Sequence, residues 1–290
     1  MTRRLQMAEP PQDLQPQEVH LTGRPGKPLL QAVHLGHEYQ ARGSTVVALQ
    51  DVNLTILEGD FVTIVGPSGC GKSTLASMFA GLTQPTSGQA LYNGTAIDGP
   101  SSERGMVFQE LAVLPWRTVE ANIGHGLEIA GVPKGDRRRR VAELIELIGL
   151  QGFETKYPRE LSGGMRQRVA VARTWAPEPP VILMDEPFAA VDAITRLALQ
   201  EELIRLAKTT RRTVVFITHS VDEAVFLGDY VVAMTARPGR VLEIVPVNHA
   251  PGERTWEDMA TNSRLQEIVS HVFELVRGRS HTAGHQGQGH

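Results

Sequence analysis

The sequence has little cysteine and no long apolar run, and each scarcity excludes a class of protein. Cys70 is the single cysteine among 290 residues, so no disulfide can form within the chain, as is usual for a reducing compartment. No segment approaches the roughly eighteen consecutive apolar residues that a membrane-spanning helix needs. The start of the sequence lacks a continuous apolar stretch, so no signal peptide is expected. The sequence therefore predicts a globular protein that works in a reducing environment.

An excess of charge of one sign is also missing. The 29 Lys and Arg residues nearly balance the 32 Asp and Glu residues, which leaves a net charge of −3. Such a balance gives no general attraction to nucleic acid or to anionic lipid, and we expect no nucleic-acid partner. Hydrophobic residues make up 41% of the chain, enough for a substantial core.

Composition divides the chain into three parts. Residues 1–28 are rich in Pro, Gln, Glu and Gly, which predicts a flexible tail. Residues 29–250 form the predicted main domain, with a helical insertion at about residues 110–176. Residues 251–290 combine a C-terminal helix, with Ser263 and Gln266 as a predicted capping box, and a flexible Gly/His/Gln-rich end.

Apolar runs and turn signals predict the elements of the main domain. The predicted strands are 52–57, 61–65, 89–92, 105–108, 181–184, 213–218, 230–236 and 241–245, and the predicted helices are 73–82, 119–130, 136–148, 163–175 and 193–207. Several strands are continuously apolar, which is typical of a parallel sheet covered on both faces. The fold class is therefore α/β with a mostly parallel sheet.

The most informative segment is Gly66-Pro67-Ser68-Gly69-Cys70-Gly71-Lys72-Ser73-Thr74. It follows an apolar strand and opens an apolar-periodic helix, the context that a phosphate-binding loop requires. Its glycines let backbone N–H groups turn toward phosphate oxygens, and the helix N-terminus adds the positive end of its dipole. Lys72 is placed to reach the β- and γ-phosphates and Ser73 to ligate Mg²⁺. The segment predicts a nucleoside triphosphate site.

Two acids, Asp185 and Glu186, follow a strongly apolar strand. Carboxylates at the end of a buried strand are costly unless a ligand uses their charge. Asp185 can hold Mg²⁺ opposite Ser73, and Glu186 can act as the general base that polarises the attacking water.

A second glycine-rich helix start, Ser162-Gly163-Gly164, also favours anion binding. One ATP needs only one phosphate cradle. A second such site therefore indicates that it serves the ATP of another copy, in a twofold dimer with nucleotide at the interface.

These motifs together resemble the ATP-binding cassette ATPase of ABC transporters, over roughly residues 29–247. The resemblance implies a P-loop NTPase core with a mostly parallel sheet, an antiparallel β subdomain and an inserted α-helical subdomain. It identifies residues 66–74 with Walker A, residues 161–167 with the ABC signature, and Asp185 and Glu186 with the Walker B aspartate and the catalytic glutamate. ATP and Mg²⁺ are the implied ligands.

Further residues match the family one by one. Tyr39 matches the aromatic that stacks on adenine, with ordinary core packing as the alternative. Gln109 matches the Q-loop, where its amide oxygen can ligate Mg²⁺ or the lytic water, and His219 matches the switch histidine, which can hydrogen-bond the γ-phosphate. Asp192 matches the D-loop aspartate and can also cap the following helix. Met165 departs from the family pattern, in which many members carry Gln.

The segment after Gln109 carries exposed apolar residues and Trp116, which favours a groove for a partner helix over a core-packed loop. In the family this region meets the coupling helix of the membrane permease. The segments 114–117, 161–173 and 235–240 are most similar to the nitrate/sulfonate/taurine branch of bacterial importers. That similarity implies a small-anion cargo, an integral membrane permease, an extracytoplasmic solute-binding protein, and a peripheral position at the cytoplasmic face of the inner membrane.

Alternatives to these interpretations stay open from the sequence. The ATPase could serve another cargo or an exporter, or, with less support, a soluble protein outside transport.

Cys70 either fills space or is a reactive thiol. The basic run 137–140 is interpreted as a solvated helix face, with phosphate or membrane contact as the alternative. The apolar stripe of the C-terminal helix is predicted to face the core, with a partner contact as the alternative.

Overall fold

The computed structural model describes residues 26–41, 43–109, 112–189, 191–247 and 254–278. Most of the predicted N-terminal tail and all of the chain after Gly278 lie outside these ranges, as does Ala190 beside the predicted D-loop. Within them the chain forms two β-sheets and a set of α-helices. None of the helices in the described ranges is both long and apolar enough to cross a bilayer.

The elements alternate between strands and helices along most of the chain. The strands are β1 (Pro28–Ala41), β2 (Ser44–Leu57), β3 (Phe61–Val65), β4 (Ser87–Tyr92), β5 (Thr95–Ala96), β6 (Arg104–Val107), β7 (Val181–Asp185), β8 (Thr213–Ile217), β9 (Tyr230–Met234) and β10 (Val241–Pro246). The helices are α1 (Lys72–Ala80), α2 (Val119–Ile123), α3 (His125–Ile129), α4 (Lys134–Leu147), α5 (Gly163–Trp175), α6 (Ala193–Thr210), α7 (Val221–Leu227), α8 (Trp256–Thr261) and α9 (Ser263–Gly278).

The larger sheet confirms the α/β prediction. Its order is β10-β9-β3-β8-β7-β6, and all neighbours pair in parallel except β10, which is antiparallel to β9. Every residue of β3, β7, β8 and β9 is buried, because helices cover both faces of a parallel sheet. The carboxyl ends of β3, β8 and β7 therefore meet at one edge, where ligands bind in folds of this kind.

The smaller sheet is antiparallel, in the order β2-β1-β4-β5. The sequence predicted only residues 52–57 of β2, which begins at Ser44, and it did not predict β1. The alternation of buried and exposed side chains along β1 is broken, because His34 has a positive φ of 47° and the pairing of β1 with β2 shifts register between Ala32 and Leu35. Bulges of this kind remove the period-two pattern by which a strand is recognised.

Helices α2–α5 lie between β6 and β7 and bury a core of their own, which includes Val119, Leu144 and Ala172. The single helix predicted over 119–130 is instead two short helices that meet at Gly124. Glycine weakens a helix interior, and a Cβ at this position would make tight contacts with the Glu120 carbonyl oxygen at 3.2 Å and with Val141 Cγ2 of α4 at 3.3 Å.

The second predicted helix of this subdomain ends as expected. Gly149 has a φ of 62°, and the Leu150 N–H donates to the Ile145 carbonyl at 2.9 Å, as in a glycine-terminated helix. On the basic run, Arg139 pairs with Asp136 at 3.0 Å and Arg140 with Glu178 at 2.8 Å.

The apolar stripe predicted in the C-terminal helix consists of Leu265, Ile268, Val269, Val272, Phe273 and Val276. It packs on the main domain, as predicted, through buried Leu265 and Val272. Phe273 is the exception, since half of its side chain is exposed. The predicted capping box of Ser263 and Gln266 is wrong. Asn262 caps α9 instead: its Oδ1 accepts the N–H groups of residues 264 and 265 at 3.0 and 3.3 Å, the geometry of an N-cap residue.

Candidate nucleotide-binding and hydrolysis site

The predicted phosphate loop connects β3 to α1. Gly69 and Gly71 have φ values of 73° and 99°, in the left-handed region that favours glycine. A Cβ at Gly71 would lie 2.6 Å from Leu49 Cδ2 and 2.9 Å from the Ala48 carbonyl oxygen. Both positions therefore favour glycine for their conformation, and Gly71 needs it for space as well. Helix α1 begins at Lys72, so the N-terminal amides of the helix face the loop.

Lys72 is buried in this loop although it carries a charge. Its Nζ donates to the carbonyl oxygens of Gly66 at 2.8 Å and Pro67 at 3.2 Å, and only 6% of the residue is exposed. A buried ammonium needs oxygen partners. Phosphate oxygens can take the place of these carbonyls, which is how the lysine of such a loop binds a triphosphate.

Cys70 packs in the core beneath the loop and is 1% exposed. Burial raises the pKa of its thiol, although Lys72 opposes the shift. A buried thiol with a raised pKa is mostly protonated and a poor nucleophile. This geometry favours the space-filling interpretation over the reactive thiol.

Asp185 ends β7 beside the phosphate loop. It is 7% exposed, and its Oδ1 is buried without a hydrogen-bond partner. Burial raises the pKa of this carboxyl, a hydrogen bond from Ser73 opposes the shift, and the neighbouring charge of Glu186 adds to it. An unpartnered buried carboxylate oxygen next to the Ser73 hydroxyl suits a hard cation, because Mg²⁺ takes one or two protein oxygens together with substrate phosphates. No cluster of three His, Cys, Asp or Glu residues suited to a metal occurs within the described ranges, so phosphate oxygens and water would supply the other ligands.

Glu186 and His219 come together at the ends of adjacent strands. Their atoms Oε2 and Nδ1 are 3.3 Å apart, with the Glu186 side chain 22% exposed and the His219 side chain 66% exposed. Glu186 has a φ of 47°, an unusual conformation for a residue with a side chain. Its N–H donates to the Ile217 carbonyl at 3.0 Å. The backbone thus holds Glu186 at the edge where Lys72 and Asp185 also lie.

Comparison with known proteins agrees with this geometry. Residues 49–189 match the ABC transporter family. The taurine import ATP-binding protein TauB of Roseobacter denitrificans is 45% identical over 229 residues, which cover 79% of this chain and 85% of that protein. The aliphatic sulfonates import ATP-binding protein SsuB of Bacillus licheniformis is 47% identical over 237 residues, or 81% of this chain and 91% of that protein.

The chain belongs to the ABC transporter family. It is an ATP-binding and ATP-hydrolysing cassette, and the predicted P-loop NTPase fold is confirmed. Among solved structures, the dimeric ATP-binding cassette MJ0796, in a post-hydrolysis state bound to ADP and Pi, superposes with a TM-score of 0.70. It is 30% identical and covers 77% of this chain and 100% of its own.

The residue expected to stack on adenine lies at the mouth of the ABC ATPase site. Tyr39 is 46% exposed, which excludes the alternative of ordinary core packing. Its hydroxyl is hydrogen-bonded to Thr74 Oγ1 at 3.1 Å, and its ring meets His37 edge-on with centroids 4.5 Å apart. The ring therefore presents a fixed aromatic face beside the phosphate loop, as a stacking platform requires.

Gln109 and the signature segment 161–167 are the remaining residues predicted for the nucleotide site. Gln109 is exposed and follows β6, the strand that pairs with β7. Ser162 caps α5, since its Oγ accepts the Met165 N–H at 3.2 Å. The Met165 side chain packs against the core of the helical subdomain, which gives the departure from the family pattern a packing role.

Sequence reasoning missed a buried polar network behind His219. The Thr218 hydroxyl donates to Glu223 Oε2, and Thr218 Oγ1 accepts the Ser220 N–H at 3.0 Å. Gln200 on α6 donates to the other oxygen of Glu223. These bonds fix the backbone on both sides of His219. The buried positions of Gln200 and Thr218, at 1% exposure each, were not detectable without the tertiary structure.

Sequence reasoning also missed a contact from another part of the chain. The guanidinium of Arg237 donates through Nε and Nη2 to the Gly69 carbonyl, both at 3.3 Å. Arg237 was noticed only for its similarity to one branch of the family. Its sequence neighbourhood gives no sign that it reaches the phosphate loop.

Proposed function

We propose that this chain energises an importer for a small anion such as nitrate, a sulfonate or taurine, by binding and hydrolysing ATP in the complex. The observation that carries the catalytic part is the meeting of Lys72, Asp185, Glu186 and His219 at one edge of the sheet. The relatives named for taurine and aliphatic sulfonates import support the cargo class and the direction of transport.

In the proposed mechanism, Glu186 accepts a proton from the attacking water. His219, whose Nδ1 lies 3.3 Å from Glu186 Oε2, orients that water and the γ-phosphate. Lys72 neutralises charge on the phosphates, and Gln109 contacts the water or the metal. Asp185 and Ser73, with Gln109, would hold Mg²⁺, which would neutralise developing charge on the phosphate oxygens. The Walker A residues Gly66 to Thr74 surround the triphosphate.

We propose further that two copies form the working unit. Each phosphate loop would face the signature residues Ser162, Gly163 and Gly164 of the other copy, whose amides begin α5. The similarity to a dimeric cassette supports this arrangement. Asp192 caps α6 through its side chain, which accepts the Thr195 N–H at 3.0 Å, and its D-loop position is where the family communicates across the dimer.

The permease surface is proposed at the helical subdomain. A groove of about 820 Å³ lies between the end of β6 and helices α3 and α5, with Phe108, His125 and Ile129 among its lining residues. Trp116, in the loop before α2, is 70% exposed, which excludes core packing of this side chain. Exposed aromatic and aliphatic side chains beside a groove suit an amphipathic helix of a permease.

Such a chain would lie peripherally at the cytoplasmic face of the inner membrane, bound to integral permease subunits. An extracytoplasmic solute-binding protein would deliver the anion. No nucleic-acid partner is proposed. Another cargo, or export, is the alternative within the same family. A soluble role outside transport finds no support among the relatives described above.

The test uses the complete complex in proteoliposomes with its permease and binding protein. ATPase activity stimulated by taurine, an alkanesulfonate or nitrate would support the cargo class, and stimulation by none of them would contradict it. Trp116→Ala should keep the basal ATPase rate of the isolated chain and reduce copurification with the permease. Phe273→Ala, which removes an exposed aromatic from α9, is the matched control. Unchanged assembly of the Trp116 variant would show that this side chain is not an anchor.

A further inference from the structure

The segment Thr235–Arg240, between β9 and β10, has no place in the mechanism above, yet it lies against the back of the phosphate loop. Three loop residues approach this part of the chain. A Cβ at Gly66 would lie 3.0 Å from the Met234 carbonyl oxygen, and the Gly69 carbonyl oxygen accepts a hydrogen bond from the Arg237 guanidinium. A Cβ added at Gly239 would lie 1.9 Å from the Cys70 carbonyl oxygen. The two backbones are therefore in direct contact.

The segment is itself held rigidly. The Gly239 N–H donates to the Ala48 carbonyl at 2.9 Å, and the Gly239 carbonyl accepts the Gln50 N–H at 3.0 Å. Thr235 Oγ1 donates to the Pro238 carbonyl at 2.9 Å. Backbone bonds to β2 and an internal side-chain bond thus fix the surface on which the phosphate loop rests.

The contacts fall on two consecutive carbonyls, those of Gly69 and Cys70. A phosphate loop works by turning N–H groups inward, so the carbonyls of those same peptide groups point outward and need partners. Each peptide group is planar and trans, which makes the carbonyl of one residue point opposite to the N–H of the next. Fixing the carbonyls of residues 69 and 70 therefore fixes the N–H directions of Gly71 and of Cys70, whose N–H also donates to the Pro67 carbonyl at 3.3 Å.

We propose that Arg237 and Gly239 act as positioning residues that clamp the phosphate loop in its nucleotide-binding conformation. Arg237 acts through its hydrogen bonds to the Gly69 carbonyl. Gly239 acts because it has no side chain, so the Cys70 carbonyl can approach it more closely than any other residue would allow. The clamp pre-organises the amides that bind the polyphosphate, so its loss weakens binding of ATP and ADP alike. The inference rests on the proposed role of residues 66–74 in binding phosphates.

The experiment measures affinity and turnover separately in the full-length chain. Titration with a fluorescent mant-ATP and mant-ADP gives Kd, and phosphate release at saturating ATP gives kcat. Arg237→Met removes the donor but keeps most of the side-chain length, and we expect Kd for both nucleotides to rise about three- to tenfold. The kcat at saturation should stay within about twofold, since no group that handles the proton or the water is lost. Arg237→Lys keeps one donor group and should fall between wild type and Arg237→Met.

Gly239→Ala tests the backbone contact without changing any side chain of the phosphate loop. The φ of Gly239 lies outside the left-handed region, so alanine is conformationally allowed and the expected effect is steric. The variant should weaken nucleotide binding at least as much as Arg237→Met. Cys70, the single cysteine of the chain, then serves as a reporter. Displacement of its backbone should speed its alkylation by N-ethylmaleimide, and the thermal unfolding midpoint should fall because the Cys70 carbonyl is part of the backbone and must shift.

Two controls separate the clamp from general effects. Arg240→Ala removes an equal charge from the same segment, but its guanidinium bonds to the Gln50 side chain at 2.7 Å. Gly135→Ala adds a methyl group where no atom lies within 4 Å. Both should bind nucleotide like the wild type.

Each result decides the inference. Wild-type Kd values in Arg237→Met and Gly239→Ala, or a loss of kcat with Kd unchanged, would overturn the clamp. If Gly239→Ala does not fold, the two Arg237 variants decide alone. Lys72→Ala tests the separate assumption that residues 66–74 bind the phosphates. If Lys72→Ala still binds nucleotide, the phosphate-site assignment is contradicted. If Lys72→Ala loses nucleotide binding while the Arg237 variants bind normally, the clamp alone is refuted.

Discussion

His219 Nδ1 lies 3.3 Å from Glu186 Oε2, and the two residues follow the ends of β8 and β7, which are adjacent strands of the larger sheet. In the proposed mechanism, the pair brings a carboxylate and an imidazole to the position where the attacking water is deprotonated and aligned. The two side chains differ in exposure, since Glu186 is mostly covered and His219 is mostly open to solvent. This difference suits a carboxylate that acts as the base and a histidine that senses the γ-phosphate.

Glu186→Gln should bind ATP but hydrolyse it about 10²- to 10⁴-fold more slowly, because an amide cannot accept the proton of the water. With hydrolysis blocked, the ATP-bound dimer should accumulate. Phosphate release, mant-ATP titration and size-exclusion chromatography with ATP measure the three effects. Glu257→Gln, an exposed acid on α8, is the control. Normal hydrolysis in the Glu186 variant would assign the base to another residue.

Tyr39→Ala should raise the Kd for ATP by about tenfold, since stacking of a base on an aromatic ring is worth roughly 1–3 kcal/mol. Tyr39→Phe keeps the ring, loses only the bond to Thr74 Oγ1, and should bind nearly as well as wild type. Binding of inorganic triphosphate should be the same in all three proteins. Tyr157→Ala, a partly exposed tyrosine of the helical subdomain, is the control. An unchanged Kd in Tyr39→Ala would show that adenine stacks elsewhere.

Asp185→Asn should stabilise the nucleotide-free protein at neutral pH by on the order of 1 kcal/mol while it abolishes Mg²⁺-dependent hydrolysis. Burial raises the pKa of Asp185 above its ordinary value of 3.8. The unfolded chain therefore loses this proton more readily than the folded chain, and stability falls as pH rises through that window. The asparagine variant does not lose stability in this way, because its side chain does not ionise.

Urea unfolding of both proteins at several pH values tests the sign. The advantage of Asp185→Asn should be largest near pH 7 and shrink as the pH falls toward about 4, where the unfolded aspartate becomes protonated. Asp222→Asn, at an exposed position on α7, should show no comparable trend. A stability advantage that grows in acid would contradict the direction of the shift.

Cys70 should react slowly with N-ethylmaleimide in the folded protein at pH 7, because its thiol is buried and its pKa is raised. The rate should keep rising with pH beyond the ordinary range of a cysteine, and urea should remove the protection. Since the chain has one cysteine, total labelling by mass spectrometry reports this site alone. Cys70→Ala should retain ATPase activity. Rapid labelling of the native protein at pH 7 would favour the reactive-thiol interpretation.

Much of the site was predictable because short contiguous motifs encode it. Residues 66–74 lie between a strand and a helix, and Asp185 with Glu186 ends an apolar strand, so local pattern alone placed them at one sheet edge. Other features were not predictable. The local pattern did not reveal the break at Gly124 or the choice of Asn262 over Ser263 as the cap of α9.

By itself, the sequence determined the family of the protein and the residues proposed for its chemistry: a phosphate loop, a pair of acids, a histidine and a signature, each carried by residues close together in the chain. Only the tertiary structure decided what holds that chemistry in place. The contact of Arg237 with Gly69 joins residues 168 positions apart, and Gln200 reaches Glu223 from another helix. Such partners meet because the sheet and its helices close around a common core, and no local pattern of residues records that closure.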